Sequence, residues 1–330
     1  PLLPALAAAV AASYPPPVPT PAVPGSGWTP VAPGSVFNTG RFVIGIDAAS
    51  GAIGYLWDAA ANQTWANAAA GERLGVLEYQ TYDKATYAAY LTNYSYVEPL
   101  PSWFALDFGK PNMVVAAPAY QELTLAPTGG VWVRNDSAGL HLLVGGAFLD
   151  AAGGTSPTTK YGAAAAYWLT YDVPRGPGAI NMTVAAYNKT ATRLPEALFV
   201  RFNASWTYGT GGRSAGAWTT SLYGLPVDPF DVQLRGNQKH HGNHGGVSMT
   251  KADPAHVAPN ATITITAPDS PIVQFGHPFG LPTPTTVPAD PTEGASFLVA
   301  DNTWGTNYVM WYPFLPSDAN IQWHYTLSFD

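Results

Sequence analysis

The densest group of side chains that could bind a ligand lies in one glycine-rich segment, residues 236–246 (GNQKHHGNHGG), which contains His240, His241 and His244. Neutral imidazoles bind zinc or copper. However, the histidine spacing matches no zinc motif, and the segment offers no acidic ligand. We therefore assign no metal site and no cofactor to it, and expect these histidines either to contact carbohydrate or to shape a tight loop.

A second polar group precedes an apolar strand: Arg193 and Glu196 flank Pro195. Two interpretations are open. The two side chains could form an ion pair that fixes the start of the strand, or they could face a glycan, with arginine as a bidentate hydrogen-bond donor.

Trp304 and Trp311 are the remaining candidates for carbohydrate contact, in residues 301–314 (DNTWGTNYVMWYPF). Flat indole rings can stack on the C–H faces of sugars, although large rings also fill hydrophobic cores.

No catalytic machinery can be selected from the sequence. Glycoside hydrolysis needs two carboxylates about 5–10 Å apart, and nothing in the spacing of the acidic residues singles out a pair. The chain has no cysteine, no G-x-S-x-G motif and no phosphate-binding or dinucleotide-binding motif. We assign no catalytic residue and predict that this chain alone is not an enzyme. The carboxylates that could form a pair are Asp47, Asp107, Glu196, Asp228 and Asp231.

The composition narrows the partners. Only 11% of the 330 residues are charged and the net charge is −7, against about 25% charged residues in ordinary soluble domains. The scarcity of Lys and Arg argues against nucleic acid and anionic membrane surfaces as partners. No apolar run is long enough to span a bilayer. A surface with so little charge needs another solvating coat, such as glycan.

Seven Asn-X-Ser/Thr sites supply that coat, where chance would give about two or three. In Ile180–Tyr187, Asn181 and Thr183 share one strand face and Met182 and Val184 the other, so Asn181 should face solvent. We predict N-glycosylation in the secretory pathway and an extracellular location. The predicted glycan acceptors are Asn62, Asn93, Asn135, Asn181, Asn188, Asn203 and Asn260.

The elements that position these residues are mostly strands. Short strand-like runs separated by Gly, Pro and Asn turns predict an all-β fold over residues 35–330. Asp83 can cap one short helix near residues 83–94. Residues 1–34 form an Ala- and Pro-rich arm, in which proline favours an extended conformation. The arm is either a linker folded onto its own domain or a segment docked on a neighbouring copy.

Several segments in this order carry a resemblance to a known family: residues 42–65 (FVIGIDAASGAIGYLWDAAANQTW), 107–111 (DFGKP), 192–197 (TRLPEA), the loop with His240 and His241, and 302–308 (NTWGTNY). The set resembles the C-terminal β-domain of relatives of family-38 α-mannosidase-type glycoside hydrolases. The resemblance implies a large β-supersandwich of the galactose-mutarotase type. It carries over no active site, because the zinc ion and the nucleophilic Asp of those enzymes belong to a barrel that this chain lacks.

The sequence thus predicts an extracellular, N-glycosylated, non-catalytic β-sandwich, structural or carbohydrate-associated, which assembles with copies of itself through the arm. Its expected partners are glycans and further copies of the chain. The alternative is the C-terminal chain of a glycoside hydrolase whose catalytic barrel lies on another or a cleaved polypeptide.

Overall fold

The computed structural model describes residues 17–23, 25–95, 99, 101–103, 121–192, 194–207, 216–232, 240–253, 259–281, 290–303 and 316–330. Several strands form where apolar residues alternate with polar ones. Strand Ala166–Pro174, for example, alternates between buried and half-buried positions along its whole length. Within these ranges, twenty strands build two antiparallel sheets of ten strands each.

The first sheet has the order β1-β8-β9-β10-β11-β20-β17-β16-β13-β14. In that order its strands are Thr29–Val31, Ala126–Asn135, Gly139–Ala147, Ala166–Pro174, Ile180–Tyr187, Ile321–Phe329, Ala261–Thr266, Val247–Lys251, Ala217–Leu222 and Leu225–Val227.

The second sheet has the order β15-β18-β19-β12-β6-β4-β3-β2, with β5 paired to β4 and β7 paired to β6. Along the main order its strands are His241–Gly242, Ile272–Phe275, Ala295–Asp301, Glu196–Phe202, Leu74–Thr81, Ile53–Asp58, Phe42–Ile46 and Val36–Asn38, while β5 is Gln63–Asn67 and β7 is Gln121–Thr124.

Helices are few in the described chain. Helix α1 (Lys84–Ser95) begins after Asp83, whose Oδ1 accepts a hydrogen bond from the Thr86 amide at 2.7 Å. Helix α2 (Ser156–Thr159) is a single turn. Short 3₁₀ turns occur at Ala68–Ala70, Pro291–Glu293 and Pro316–Ala319. No helix within the described ranges is long and apolar enough to cross a membrane.

The hydrophobic core lies between the inner faces of the two sheets. Phe202 of the second sheet meets Tyr325 of the first with ring centroids 5.3 Å apart, and Phe42 meets Phe329 at 5.2 Å. These rings belong to one cluster of buried apolar side chains that draws on both sheets. Burial of this apolar surface is the main stabilising contribution. The prediction of a large all-β sandwich with one short helix is confirmed.

A bulge at Gly75 sets the register of β6. Arg201 of β12 pairs with Val76, but the next residue, Phe202, pairs with Leu74, so Gly75 is skipped. Gly75 has φ +84°, which glycine adopts without the strain that a β-carbon brings. A one-residue slip would exchange the two faces of the strand. Gly75 therefore determines which β6 side chains face the core.

We expect Gly75→Ala to lower the free energy of unfolding by about 2–4 kcal/mol, because left-handed strain adds to overpacking. An added β-carbon would lie 2.7 Å from the Met182 thioether in the core. Gly71→Ala is the matched control, since Gly71 has φ +81° and open space around it. Urea unfolding of both variants measures the difference. Equal losses would show that the contact at Gly75 carries no cost.

The arm continues into the first sheet at its C-terminal end. Thr29–Val31, within the predicted arm, pairs with β8, and the Arg134 guanidinium lies 4.9 Å from the Trp28 ring. Residues 1–16 lie outside the described chain. The predicted contact of the arm with a second copy stays a prediction.

Candidate functional site

The outer face of the second sheet, which points away from the hydrophobic core, carries polar side chains that are nevertheless buried. On β6, Leu77 and Tyr79 point into the core. Glu78 and Gln80 therefore point outward, yet both are at least 98% buried. Helix α1 and the loop of residues 276–281 cover this face through a second, smaller apolar cluster. The cover buries the polar side chains and makes their hydrogen bonds important.

Gln80 fastens the 276–281 loop to the sheet. Its Nε2 donates a hydrogen bond to the Pro278 carbonyl at 2.7 Å, and its Oε1 accepts one from the Gly280 amide at 3.1 Å. The Tyr82 hydroxyl also donates to Gln80 Oε1, at 2.6 Å. The Gln80 side-chain amide thus forms hydrogen bonds with backbone groups of the loop, as a neighbouring strand would do in a sheet.

Gln274 of β18 fastens the same loop from the other side. Its Oε1 accepts from the Phe279 amide at 2.9 Å and its Nε2 donates to the Phe279 carbonyl at 3.0 Å. The Gln274 amide also donates to His240 Nε2, 2.5 Å away. Burial lowers the pKa of His240 to about 4, so the imidazole is neutral and can accept this bond. Two glutamines therefore hold the loop rigidly in place.

The 276–281 loop places His277 close to two carboxylates. His277 Nε2 donates to Glu122 Oε2 of β7 at 2.9 Å. One ligating atom each of Glu78, Glu122 and His277 lies within 4.8 Å of the other two. Glu78 forms the buried floor, whereas the Glu122 and His277 side chains are 30% and 46% exposed. We call these three residues the acid–imidazole cluster.

Two groups of the acid–imidazole cluster, Glu78 and His277, have raised pKa values. Burial, and then the charge of Glu122, raise the pKa of Glu78 to about 7. The hydrogen bond with Glu122 raises the pKa of His277. Arg201 adds a guanidinium whose Nη1 is 3.8 Å from Glu78 Oε2. The arrangement can donate and accept hydrogen bonds, exchange a proton and offer metal-ligating atoms.

The three predicted histidines do not converge. His240 is hydrogen-bonded to Gln274, one of the two glutamines that hold the 276–281 loop. His241 lies on β15, and its ring contacts Phe275 at 5.5 Å. His244 is exposed, and its amide donates to the Ser221 carbonyl at 3.2 Å. Of the three, only His240 is placed next to a residue that supports the acid–imidazole cluster.

Glu196 is buried at the start of β12 and has internal partners. Its Oε2 accepts from the Tyr79 hydroxyl at 2.5 Å, and its Oε1 lies 2.6 Å from Lys189 Nζ. Lys189 thus forms an ion pair with Glu196 at the start of this strand, whereas the predicted pair of Glu196 with Arg193 stays a prediction. Sugar contact by Glu196 stays a prediction. The other candidates, Arg193, Trp304 and Trp311, lie outside the described residues.

Six of the seven predicted glycan acceptors are exposed: Asn62, Asn93, Asn135, Asn181, Asn188 and Asn260. Asn181 faces solvent as predicted, with Met182 and Val184 in the core. Asn203 differs because it is half-buried and its Nδ2 donates to the Gly71 carbonyl at 3.3 Å. The nitrogen that would carry the glycan is thus engaged.

A groove of about 480 Å³ lies apart from the acid–imidazole cluster and contains none of its residues. Its lining includes Arg41, Phe329 and two predicted glycan acceptors, Asn62 and Asn260. A glycan on either asparagine would compete for this space, so the acid–imidazole cluster is the stronger candidate site.

Comparison with solved structures finds similar folds at low identity. An α-mannosidase from Enterococcus faecalis V583 is 10% identical with a TM-score of 0.47. A glycosyl hydrolase family 38 protein from Enterococcus faecalis is 11% identical with a TM-score of 0.45. The matches cover 91% of this chain, which spans 30% of the length of each of those proteins. A galactose mutarotase-like protein from Lactobacillus casei ATCC 334 is 12% identical with a TM-score of 0.41, and the match covers 90% of this chain and 99% of that one.

No curated protein matches the sequence. A family model does match, over residues 8–181, which is more than half of the chain. The chain therefore belongs to the DUF5054 family, a domain of unknown function.

Proposed function

We propose that this chain is an extracellular, N-glycosylated, non-catalytic β-sandwich protein that binds neutral carbohydrate at the acid–imidazole cluster. The proposal rests on the arrangement of the three side chains: Glu78 is buried, whereas the Glu122 carboxylate and the His277 imidazole are partly exposed. Two buried glutamines hold the loop that carries His277 in place. Such pre-organisation reduces the entropy that a ligand must lose on binding.

The donor and acceptor pattern suits sugar hydroxyl groups. A hydroxyl both donates and accepts, so it can donate to Glu122 while it accepts from His277 or from the nearby Arg201. Phe279, half-buried on the same loop and edge-on to Tyr82 at 5.4 Å, adds an aromatic surface of the type that packs on sugar C–H groups.

Burial of Glu78 supports binding without hydrolysis. A glycosidase places its two carboxyl groups on either side of the scissile bond. Glu78 is 2% exposed and lies beneath the 276–281 loop. Its carboxyl group is therefore a poor candidate for one half of such a pair.

An oligosaccharide array probed with the purified chain tests this function. We expect saturable binding to a neutral oligosaccharide, and a loss of affinity of about tenfold or more in Glu122→Ala and His277→Ala, since each removes a charged hydrogen bond. His324→Ala is the matched control, because His324 also pairs with a carboxylate, that of Asp269, at 2.6 Å on the other sheet.

Two results would count against the proposal. Unchanged affinity in both cluster variants would place any carbohydrate site elsewhere. Turnover of aryl-mannosides that Glu78→Gln abolishes would make the chain a hydrolase.

The exposed acceptors support the glycoprotein part of the proposal. We expect glycan at Asn62, Asn93, Asn135, Asn181, Asn188 and Asn260, and none at Asn203, because its Nδ2 donates to a backbone carbonyl. Peptide mass spectrometry of the protein secreted from eukaryotic cells, before and after a peptide-N-glycosidase, measures the occupancy of each site. Unmodified peptides at all seven positions would remove the secretory assignment.

A further inference from the structure

We propose that Glu78, Glu122 and His277 form a zinc-binding site. The three residues come from β6, β7 and the 276–281 loop, which are remote from one another in sequence. Their ligating atoms nevertheless converge to within 4.8 Å. Among the described residues, no other group of His, Cys, Asp and Glu side chains meets this condition.

The buried carboxylate supplies an independent reason. Glu78 Oε1 accepts a hydrogen bond from Gln80 Nε2 at 2.8 Å. Its Oε2 accepts no hydrogen bond from any residue that the structure describes, and the nearest guanidinium nitrogen of Arg201 is 3.8 Å away. The Glu78 side chain is only 3% exposed, and a carboxylate withdrawn from solvent with one oxygen lacking a hydrogen-bond donor is costly. A bound cation would satisfy it.

The types of metal-ligating side chain favour zinc over calcium and magnesium. An imidazole with two carboxylates is a ligand combination that zinc accepts, usually with a fourth position open. Calcium and magnesium prefer oxygen ligands alone. Tetrahedral zinc places neighbouring ligand atoms about 3.3 Å apart. The present separations of 2.9 Å and up to 4.8 Å need only small rotations of the exposed Glu122 and His277 side chains.

The surrounding contacts favour a rigid site. Gln80 orients Glu78 through Oε1 and also holds the loop that carries His277. Outer partners of this kind commonly change metal affinity by about 10- to 100-fold when removed. Arg201 is held by its own hydrogen bond from Nε to the Glu293 carbonyl at 2.9 Å, with its Nη1 3.8 Å from Glu78 Oε2.

Calorimetric titration of the chelator-treated full chain with zinc chloride alone tests the inference. We expect one equivalent to bind, and a loss of affinity of about 100-fold in Glu78→Gln and His277→Gln, each of which removes a direct ligand. His277→Gln changes a half-exposed loop residue and is expected to fold normally, which circular dichroism would verify. His324→Gln controls for adventitious binding to an imidazole–carboxylate pair and should leave the affinity unchanged.

Absence of zinc binding to the wild-type chain would overturn the inference. Equal affinity in wild type and His277→Gln, or loss only in His324→Gln, would do the same. The inference shares its residues with the proposed carbohydrate site but can fail separately. Oligosaccharide binding that persists with chelator, with no zinc bound, would reject the metal alone. Zinc binding without any oligosaccharide binding would reject the proposed function alone.

Discussion

Gln80→Leu should lower the free energy of unfolding by more than about 3 kcal/mol, because several buried groups lose their partner at once. The Pro278 carbonyl loses its donor, and the Tyr82 hydroxyl and Glu78 Oε1 each lose a hydrogen bond. Leucine fits the volume but can replace none of these bonds. Urea unfolding followed by tryptophan fluorescence measures the change.

The same substitution should weaken ligand binding, since the 276–281 loop positions His277. We expect oligosaccharide affinity to fall about tenfold even where the variant is fully folded. Gln121→Leu on the adjacent strand is the matched control. Gln121 is half-buried and its Oε1 accepts no hydrogen bond from the part of the chain that the structure describes, so the loss should stay below about 1 kcal/mol. Equal destabilisation by the two substitutions would mean that Gln80 does not clamp the loop.

We expect the free energy of unfolding to increase as the pH rises from about 7 to about 9, because of the buried side chain of Lys251. Lys251 lies on the inward face of β16 and is fully buried. Its Nζ donates to the Thr64 and Thr207 carbonyls at 2.6 and 2.8 Å and lies 4.1 Å from the Trp65 ring. Burial nevertheless lowers the pKa of Lys251 to about 7.

The direction of the effect follows from proton binding. The folded chain releases the Lys251 proton near pH 7, whereas the unfolded chain keeps it until about pH 10.4. The unfolded state binds more protons in this window, so the free energy of unfolding rises with pH, by up to about 1.4 kcal/mol per pH unit. Above about pH 10 the tyrosines of the unfolded chain also ionise and oppose the gain.

Denaturant unfolding at a series of pH values, comparing wild type with Lys251→Met, measures this contribution. The variant should lack the rise of about 2–3 kcal/mol between pH about 7 and about 9. Lys84→Met is the control, because Lys84 is exposed at the start of α1 and its loss should leave the rise intact. A rise of the same size in Lys251→Met would show that another group titrates.

Strands with one buried face were predictable from sequence. Ile321–Phe329 alternates between buried and more exposed positions along most of its length, and the first half of Ile180–Tyr187 does the same. The helix after Asp83 was also predictable, because an acidic cap precedes an i, i+3, i+4 pattern of aromatic and aliphatic residues. These signals are local, and so each can be read from a short window of sequence.

The acid–imidazole cluster could not be predicted in the same way. Strand Leu74–Thr81 is buried on both faces, so its sequence (LGVLEYQT) lacks a clear alternation. A single Glu and a single Gln in such a run were the only signal. Glu122 and His277 come together with Glu78 only through the pairing of β7 with β6 and the clamp on the 276–281 loop. Long-range pairing of this kind leaves no spacing pattern.

The nuclear magnetic resonance signal of His277, followed during titration with the neutral oligosaccharide that binds best on the array, shows directly whether carbohydrate binds at the acid–imidazole cluster. We predict that the imidazole resonances of His277 shift saturably, with a dissociation constant equal to that measured for binding, while those of His324 on the first sheet stay unchanged. Saturable binding with an unchanged His277 signal would contradict the assignment of the carbohydrate site to the acid–imidazole cluster.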